Sequence, residues 1–330
     1  MKALVDAGNF PGARQPAELI ETHISWVILT PDFAFKIKKP VTFDFLDFST
    51  LQKRRYFCEE EVRLNGRLAP GMYVGVLPIG MRAGQATIGE TGSPVVDYAV
   101  QMHRLDNQLQ MDKLLAENRV SPVQMQQLAT LLASFHRQVA MTGAIVYHPD
   151  AYWTDFAEIY SLHADIENRL GARATQKMKR WGLRLPLFLE QHAGRLQERV
   201  REGFWVDGHG DLHARNIFLS GEGPIVFDCI EFNPHFRQSD ILNELAFLCM
   251  DLDAREHSGL AGVFLKTYLE CWNVFPQQED WELFRFFKAY RANVRLKVAL
   301  LELRQHDSAA LTDQVRQYWN LLEEYLSEFD

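Results

Sequence analysis

The densest concentration of chemically competent side chains in this sequence is the stretch Phe204-Trp205-Val206-Asp207-Gly208-His209-Gly210-Asp211-Leu212-His213-Ala214-Arg215-Asn216-Ile217-Phe218-Leu219. Pro224-Ile225-Val226-Phe227-Asp228-Cys229-Ile230-Glu231-Phe232 follows it. Two apolar runs, 217–219 and 225–227, flank the turn sequence Gly221-Glu222-Gly223, so the pattern predicts a β-hairpin. That hairpin brings Asn216, just before one strand, near Asp228, just after the other, with Asp211 in the loop leading in. Two carboxylates and an amide oxygen form a set of hard oxygen donors, suited to Mg2+ rather than zinc. A competing chemistry is also written there: His209-Gly-Asp211-Leu-His213 has the H-x-D-x-H form of a metallohydrolase ligand cluster, which would bind zinc through His209 and His213.

The run from His209 to Ile217 resembles the catalytic loop of the aminoglycoside phosphotransferase-like (choline-kinase-like) families, small-molecule kinases with the protein-kinase fold. The Asp-x-x-x-x-Asn spacing of Asp211 and Asn216 is the spacing of that fold's catalytic loop. The resemblance implies that Asp211 orients and deprotonates an acceptor hydroxyl, that Asn216 and Asp228 bind Mg2+, and that ATP is the donor. It implies a bracing role for His209, and for His213 either the same role or contact with substrate. Because Asn216 and Asp228 follow at kinase spacing, behind a strand-rich region, the kinase-type site is favoured over the metallohydrolase. Segments 21–40 and 54–70 further resemble a bacterial branch of that superfamily whose members are sometimes fused to a C-terminal P-loop domain. No G-x-x-x-x-G-K-[ST] occurs in this sequence, so no second ATPase activity is expected of it.

A kinase-type site needs a lysine for the phosphates. Phe33-Ala34-Phe35-Lys36 resembles the kinase V-A-I-K strand, and at period 2 Ala34 and Lys36 share one face, a small residue to clear adenine and an ammonium to meet phosphate. Lys38 shares that face and competes for the role. Ser49-x-x-Gln52 is a capping-box signature, predicting a helix to about Ala69 whose apolar arc holds Leu51, Phe57, Cys58, Val62, Leu64 and Leu68. Glu61 falls inside the arc, Glu60 just off its edge and Glu59 on the far side. A carboxylate on a buried face is costly unless paired, so Glu61 is the first choice as the Lys36 partner, with Glu60 next. Adenine contacts are expected from backbone groups around Gln101, Met102 and His103. Where the resemblance would place a glycine-rich phosphate loop, the chain has Glu21-Thr22-His23-Ile24-Ser25, so the Thr22 and Ser25 hydroxyls are the candidate substitutes. On the acceptor side, Lys288, Arg291 and Arg295 share one helical stripe that would suit an anionic hydroxyl substrate, whereas the acidity of the surrounding region would suit a cationic one. Arg237, Asp240 and Glu244 are expected to support the loop.

The elements that must position these residues change along the chain. Residues 20–104 read as strands with one helix: 24–29 and 33–37 as a hairpin across Thr30-Pro31-Asp32, then 72–79 and 94–102, with the four-glycine stretch 80–92 as a loop. From about residue 106 the pattern is helical: Ser121-Pro122-Val123-Gln124 opens one helix, and 281–303 and 311–329 are long helical runs. The expected fold is α+β and bilobal, protein-kinase-like, with a small antiparallel-sheet lobe carrying one helix (1–105, nucleotide-binding) and a larger mainly helical lobe (106–330, catalytic and substrate-binding). Composition agrees with a folded chain: 330 residues, 47% hydrophobic and 24% charged, enough apolar surface to offset ordering entropy. The net charge of −8 argues against a general nucleic-acid binder. It is unevenly spread, with 12 Lys and Arg against 11 Asp and Glu in 1–105 and 23 against 32 in 106–330. Four scattered cysteines, no C-x-x-C, no membrane-length apolar run and no signal-type leader lead to the expectation of a cytoplasmic protein with reduced thiols and no membrane partner. Two further activities are compatible with the same site: a nucleotide-binding pseudokinase or regulatory module, and transfer of phosphate or AMP to a protein.

Overall fold

The computed structural model describes residues 2–11, 17–82, 84–90, 92–141, 150–306 and 308–329. They form two compact units, one made of Met1–Leu114, His209–Asp211 and Arg215–Arg237, the other of Leu115–Gly208, Leu212–Ala214 and Gln238–Asp330.

In the first unit, helix α1 (Lys2–Ala7) precedes strands β1 (Glu18–Glu21), β2 (Ser25–Leu29) and β3 (Phe33–Lys38). A small hairpin, β4 (Thr42–Phe43) and β5 (Leu46–Asp47), leads to helix α2 (Leu51–Asn65), and β6 (Tyr73–Arg82), β7 (Gln85–Ile88) and β8 (Val95–His103) follow. The main sheet has six strands in the order β1-β2-β3-β8-β6-β7, every pair antiparallel. Its faces are set by alternation along β3. Phe35 and Ile37 join Leu4, Val5, Phe10, Ile28 and Ile79 in one core, while Ala34 turns to the other face with Cys58 of α2, Val100 and Met102.

Two sequence expectations are corrected here. The cap of α2 is Thr50, whose hydroxyl accepts the Lys53 N–H at 3.2 Å; the Ser49 hydroxyl instead donates to Asp47 at 2.6 Å, and the helix ends at Asn65. Within the stretch 80–92, expected as a loop, residues up to 88 continue the sheet: β6 runs to Arg82 and returns as β7 (Gln85–Ile88). Two of its four glycines serve that hairpin. Gly84 adopts φ +79°, and a Cβ on Gly80 would lie 2.8 Å from the Ser93 side chain, so the one permits the turn and the other the close packing. Ala83 and Thr91 of this stretch lie outside the described residues.

The second unit is mainly helical. After α3 (Met111–Ala116), within which the first unit's opening segment ends at Leu114, comes α4 (Pro122–Gln138), opened by the capping box expected at Ser121 and Gln124. Helices α5 (Asp150–Ala157), α6 (His163–Leu170) and α7 (Ala172–Arg201) lead to β9 (Trp205–Asp207). The hairpin β10 (Ile217–Ser220) and β11 (Gly223–Val226) and the short α8 (Pro234–Arg237) belong to the first unit. Strand β12 (Gln238–Asp240), which pairs with β9, then returns the chain to α9 (Ile241–Ala254), α10 (Ser258–Cys271), α11 (Glu279–Gln305) and α12 (Ala309–Tyr325). Asp240 caps α9 and receives two hydrogen bonds from the buried Arg199 guanidinium, a structural role within the helical unit. Among the described residues no helix is long and apolar enough to cross a membrane.

Candidate active site

The expected hairpin is present, with Ile217 opposite Val226 and the Phe227 N–H donating to the Asn216 carbonyl at 3.0 Å. Asn216 and Asp228 therefore stand at its open end. The loop into it bends at Gly210, which has φ +84°, and a Cβ there would lie 2.9 Å from the Phe236 carbonyl oxygen, so only glycine fits. His209 braces this loop: Nε2–H donates to the Phe227 carbonyl at 2.8 Å, and Nδ1 accepts the Asp211 N–H at 3.2 Å. With both ring nitrogens engaged in loop bonds, His209 is not arranged as a zinc ligand, which removes the geometric basis of the metallohydrolase reading. Asn216 Nδ2 donates to the Asp211 carbonyl at 3.0 Å and to its carboxylate at 2.9 Å.

Asp228 has φ +62°, a left-handed conformation that aspartate tolerates better than most residues. Its N–H donates to the Tyr73 hydroxyl at 3.3 Å, and the next N–H, of Cys229, donates to the Asn65 side-chain oxygen at 2.9 Å. The Asp228 carboxylate, 44% exposed, accepts a hydrogen bond from Lys36 Nζ at 2.6 Å. The same ammonium lies 2.9 Å from Glu61 Oε1, on the face of α2 that the apolar arc marked as buried. Lys38, the competitor, is buried and bonded to Glu61 Oε2 at 2.7 Å and to Glu231. Burial opposes charge on Lys36, but Asp228 and Glu61 raise it well above the ordinary lysine value. Burial likewise pushes the Glu61 carboxyl up, and Lys36 and Lys38 overcome it, holding it at about 2. Glu231 is raised, by burial and by the Glu61 charge beside it, against the pull of Lys38.

Among the other expected residues, Ala34 and Met102 face each other across β3 and β8. The His103 N–H is taken by the Met72 carbonyl at 2.8 Å, which removes one of the backbone groups expected to read adenine. Glu60 is corrected: it turns outward to Arg63 one helical turn on, because its position lies at the rim of the arc. The Thr22 hydroxyl is spent on the Ser25 backbone and the Ser25 hydroxyl is buried, so neither is presented to a phosphate. His213, Arg291 and Arg295 fall in the helical unit. His213 packs edge-on against Phe247. Arg291 is buried, donating to Asn243 at 2.7 Å and stacking on Phe247, and Arg295 Nε reaches the Tyr318 hydroxyl at 3.4 Å. Lys288 pairs with Asp253 at 2.5 Å. The expected basic stripe is thus engaged within its own unit rather than displayed as one face. Sequence reasoning assigned no role to Tyr73, Asn65 or Glu231; Glu231 alone carried a signal, an acid three residues beyond Asp228 in an otherwise apolar run.

The donor set fits a hard divalent cation. The Asp228 carboxylate is half exposed, and Asn216, its amide nitrogen spent on Asp211, has its oxygen left as the acceptor.

No protein-family model matches the chain. An uncharacterized protein of Mycobacterium tuberculosis is 30% identical over 303 residues, 90% of this chain and 57% of that protein, and one of Mycobacterium bovis matches to the same extent. The chain therefore spans a little over half the length of the curated relatives it matches. Among solved structures, a choline kinase from Cryptosporidium parvum superposes with a TM-score of 0.55 at 12% identity, over 97% of this chain and 93% of that one. A GDP complex of an aminoglycoside 2'-phosphotransferase-IIIa variant gives 0.52 at 15%, over 96% and 93%. The chain has the protein-kinase-like fold of the choline kinases and aminoglycoside phosphotransferases, with an antiparallel-sheet part, which carries α1 as well as the one helix expected, and a larger, mainly helical part.

Proposed function

We propose that the chain is an ATP- and Mg2+-dependent phosphotransferase acting on a hydroxyl group of a small molecule. The observation that carries this is the convergence, within one compact unit, of Lys36 between Glu61 and Asp228 with the bonded pair Asp211 and Asn216. Lys36 grips the donor phosphates, and Ala34 and Met102 flank the adenine. Asn216 and Asp228 hold Mg2+, which when bound supplies charge neutralisation at the β- and γ-phosphates. Asp211, oriented by Asn216 and by the His209-braced loop, accepts the proton of the acceptor hydroxyl. The acceptor oxygen then bonds to the γ-phosphorus, the bond from γ-phosphorus to the β–γ bridging oxygen breaks, and ADP leaves. The two solved neighbours bear the names of enzymes that phosphorylate small hydroxyl compounds, which supports the acceptor class. In this reading residues 1–105 bind the nucleotide, and 106–330 supply the catalytic and metal-holding residues and bind the acceptor.

One observation favours a second reading, nucleotide binding without turnover: the β1–β2 turn has no glycine, and its hydroxyls are spent or buried. Thermal melting with Mg-ATP tests both. At a hundredfold excess over Kd, binding adds about 2.7 kcal/mol, and the shift is expected in the wild type and lost in Asp228→Ala. No shift, or equal shifts, contradicts the proposal. A shift without any ATP turnover, unchanged by Asp211→Ala, selects the second reading.

A further inference from the structure

Lys38 has no task in the phosphotransfer scheme, yet it is among the most deliberately placed side chains of the unit. It follows Lys36 by two residues on β3 and so emerges on the same sheet face, but only 1% of it is exposed. The Phe48 ring covers its ammonium, with Nζ 4.9 Å from the ring centroid. The ammonium reaches Glu61 Oε2 at 2.7 Å and, in a closer contact, Glu231. A buried ammonium needs a counter-charge, and one carboxylate would supply it. Here two converge, one from α2 and one from the segment just after Asp228, so Lys38 joins the three pieces of chain that carry Lys36, Glu61 and Asp228. The consequence for Glu61 is specific. Its Oε2 is hydrogen-bonded to Lys38, while Oε1 pairs with Lys36 at 2.9 Å. Lys36 also donates to Asp228.

We infer that Lys38 is a positioning residue. By gripping Glu61 and Glu231 together it holds the Glu61 carboxylate against Lys36, and it pins the segment that follows Asp228. The Lys36–Glu61–Asp228 arrangement is then set by buried bonds before nucleotide arrives. The inference rests on the phosphotransfer reading to the extent that Lys36 is the phosphate-binding lysine.

The test compares wild type, Lys38→Met, Glu231→Gln and the double variant Lys38→Met/Glu231→Leu, which removes both buried charges so that neither is left unpaired. The probe is an acyl phosphate of ATP with Mg2+. A lysine amine at the phosphate site attacks its acyl carbon, an amide forms and the nucleotide leaves, and mass spectrometry follows labelling of Lys36 at saturating probe. The double variant is expected to melt near the wild type, well above Lys38→Met, while Lys36 labelling falls about tenfold or more in both, as misplacement of a reacting group requires. A double variant that melts like the wild type and labels Lys36 at the wild-type rate overturns the inference, since Lys38 then only fills space. If the double variant does not fold, Glu231→Gln decides. It keeps the shape but leaves Lys38 one anion, which draws Glu61 away from Lys36, so labelling should fall roughly threefold, and unchanged labelling overturns the inference. Wild-type Lys36 that is not labelled, or whose labelling ATP does not compete, instead contradicts the phosphotransfer reading and takes this inference with it.

Discussion

Two lysines on one strand share one glutamate, and their surroundings decide which of them can meet the proposed nucleotide. Lys36 is 15% exposed and bonded to the accessible Asp228, whereas Lys38 is sealed beneath Phe48 with Glu61 and Glu231. The pairing of Glu61 has a consequence in acid. Held at about 2 against an ordinary 4.5, its carboxyl stabilises the fold fully above pH 4.5, and that contribution is lost as pH falls toward 2. Melting temperature should decline through this window, and Glu61→Gln should start lower and decline less steeply; parallel curves would contradict the pairing. At the acceptor side, Asp211→Asn is expected to lower phosphate transfer by about 10²–10⁴-fold while leaving the Mg-ATP melting shift in place. Loss of both together would mean that Asp211 serves binding rather than proton removal. The pairing of Lys36 with Glu61 was legible because a period of 2 and a period of 3.6 each place a residue on a face. The bond from Lys38 to Glu231 was not, because its partners lie 193 residues apart and no local pattern encodes such a pairing.

Among the elements, the hairpin β10–β11 and the loop before it depend on one backbone position. Gly210→Ala adds a Cβ 2.9 Å from the Phe236 carbonyl at a positive φ, and is expected to cost about 1–3 kcal/mol. Because Asp211 follows directly, the variant should also lose transfer activity; a Gly210→Ala protein that melts and reacts like the wild type would show that the loop relaxes freely. Thr50→Ala should remove about 1 kcal/mol from α2, and Ser49→Ala much less, since Ser49 bonds to Asp47 and not to the helix. Melting of the two variants checks this. Element types were readable from pattern, as at Ser121, where proline, cap and glutamine agree. The errors came where a residue type has two uses. A hydroxyl at 49 or at 50 can cap the same helix, and a glycine-rich stretch signals a loop unless the flanking strands continue and need two of the glycines, Gly84 for a turn and Gly80 for a close approach.

At the scale of the whole molecule, the proposed site residues Lys36, Glu61, Asp211, Asn216 and Asp228 all fall in the first compact unit, two of whose segments come from beyond residue 208. The change from strand pattern to helix pattern near residue 105 made the fold class legible, but not this return of the chain, which is tertiary. The acceptor was not legible either, because the Lys288, Arg291 and Arg295 stripe that would have indicated its charge is engaged inside the helical unit. The central claim is therefore tested most directly by the chemistry itself. The protein is incubated with γ-labelled ATP, Mg2+ and a small-molecule extract, and the label is followed into metabolites, polypeptides and free phosphate. Label entering a hydroxyl-bearing metabolite, dependent on Asp211, Asp228 and Mg2+, is the predicted result; label found only in polypeptides, or transfer that persists in Asp211→Asn and Asp228→Ala, would contradict it.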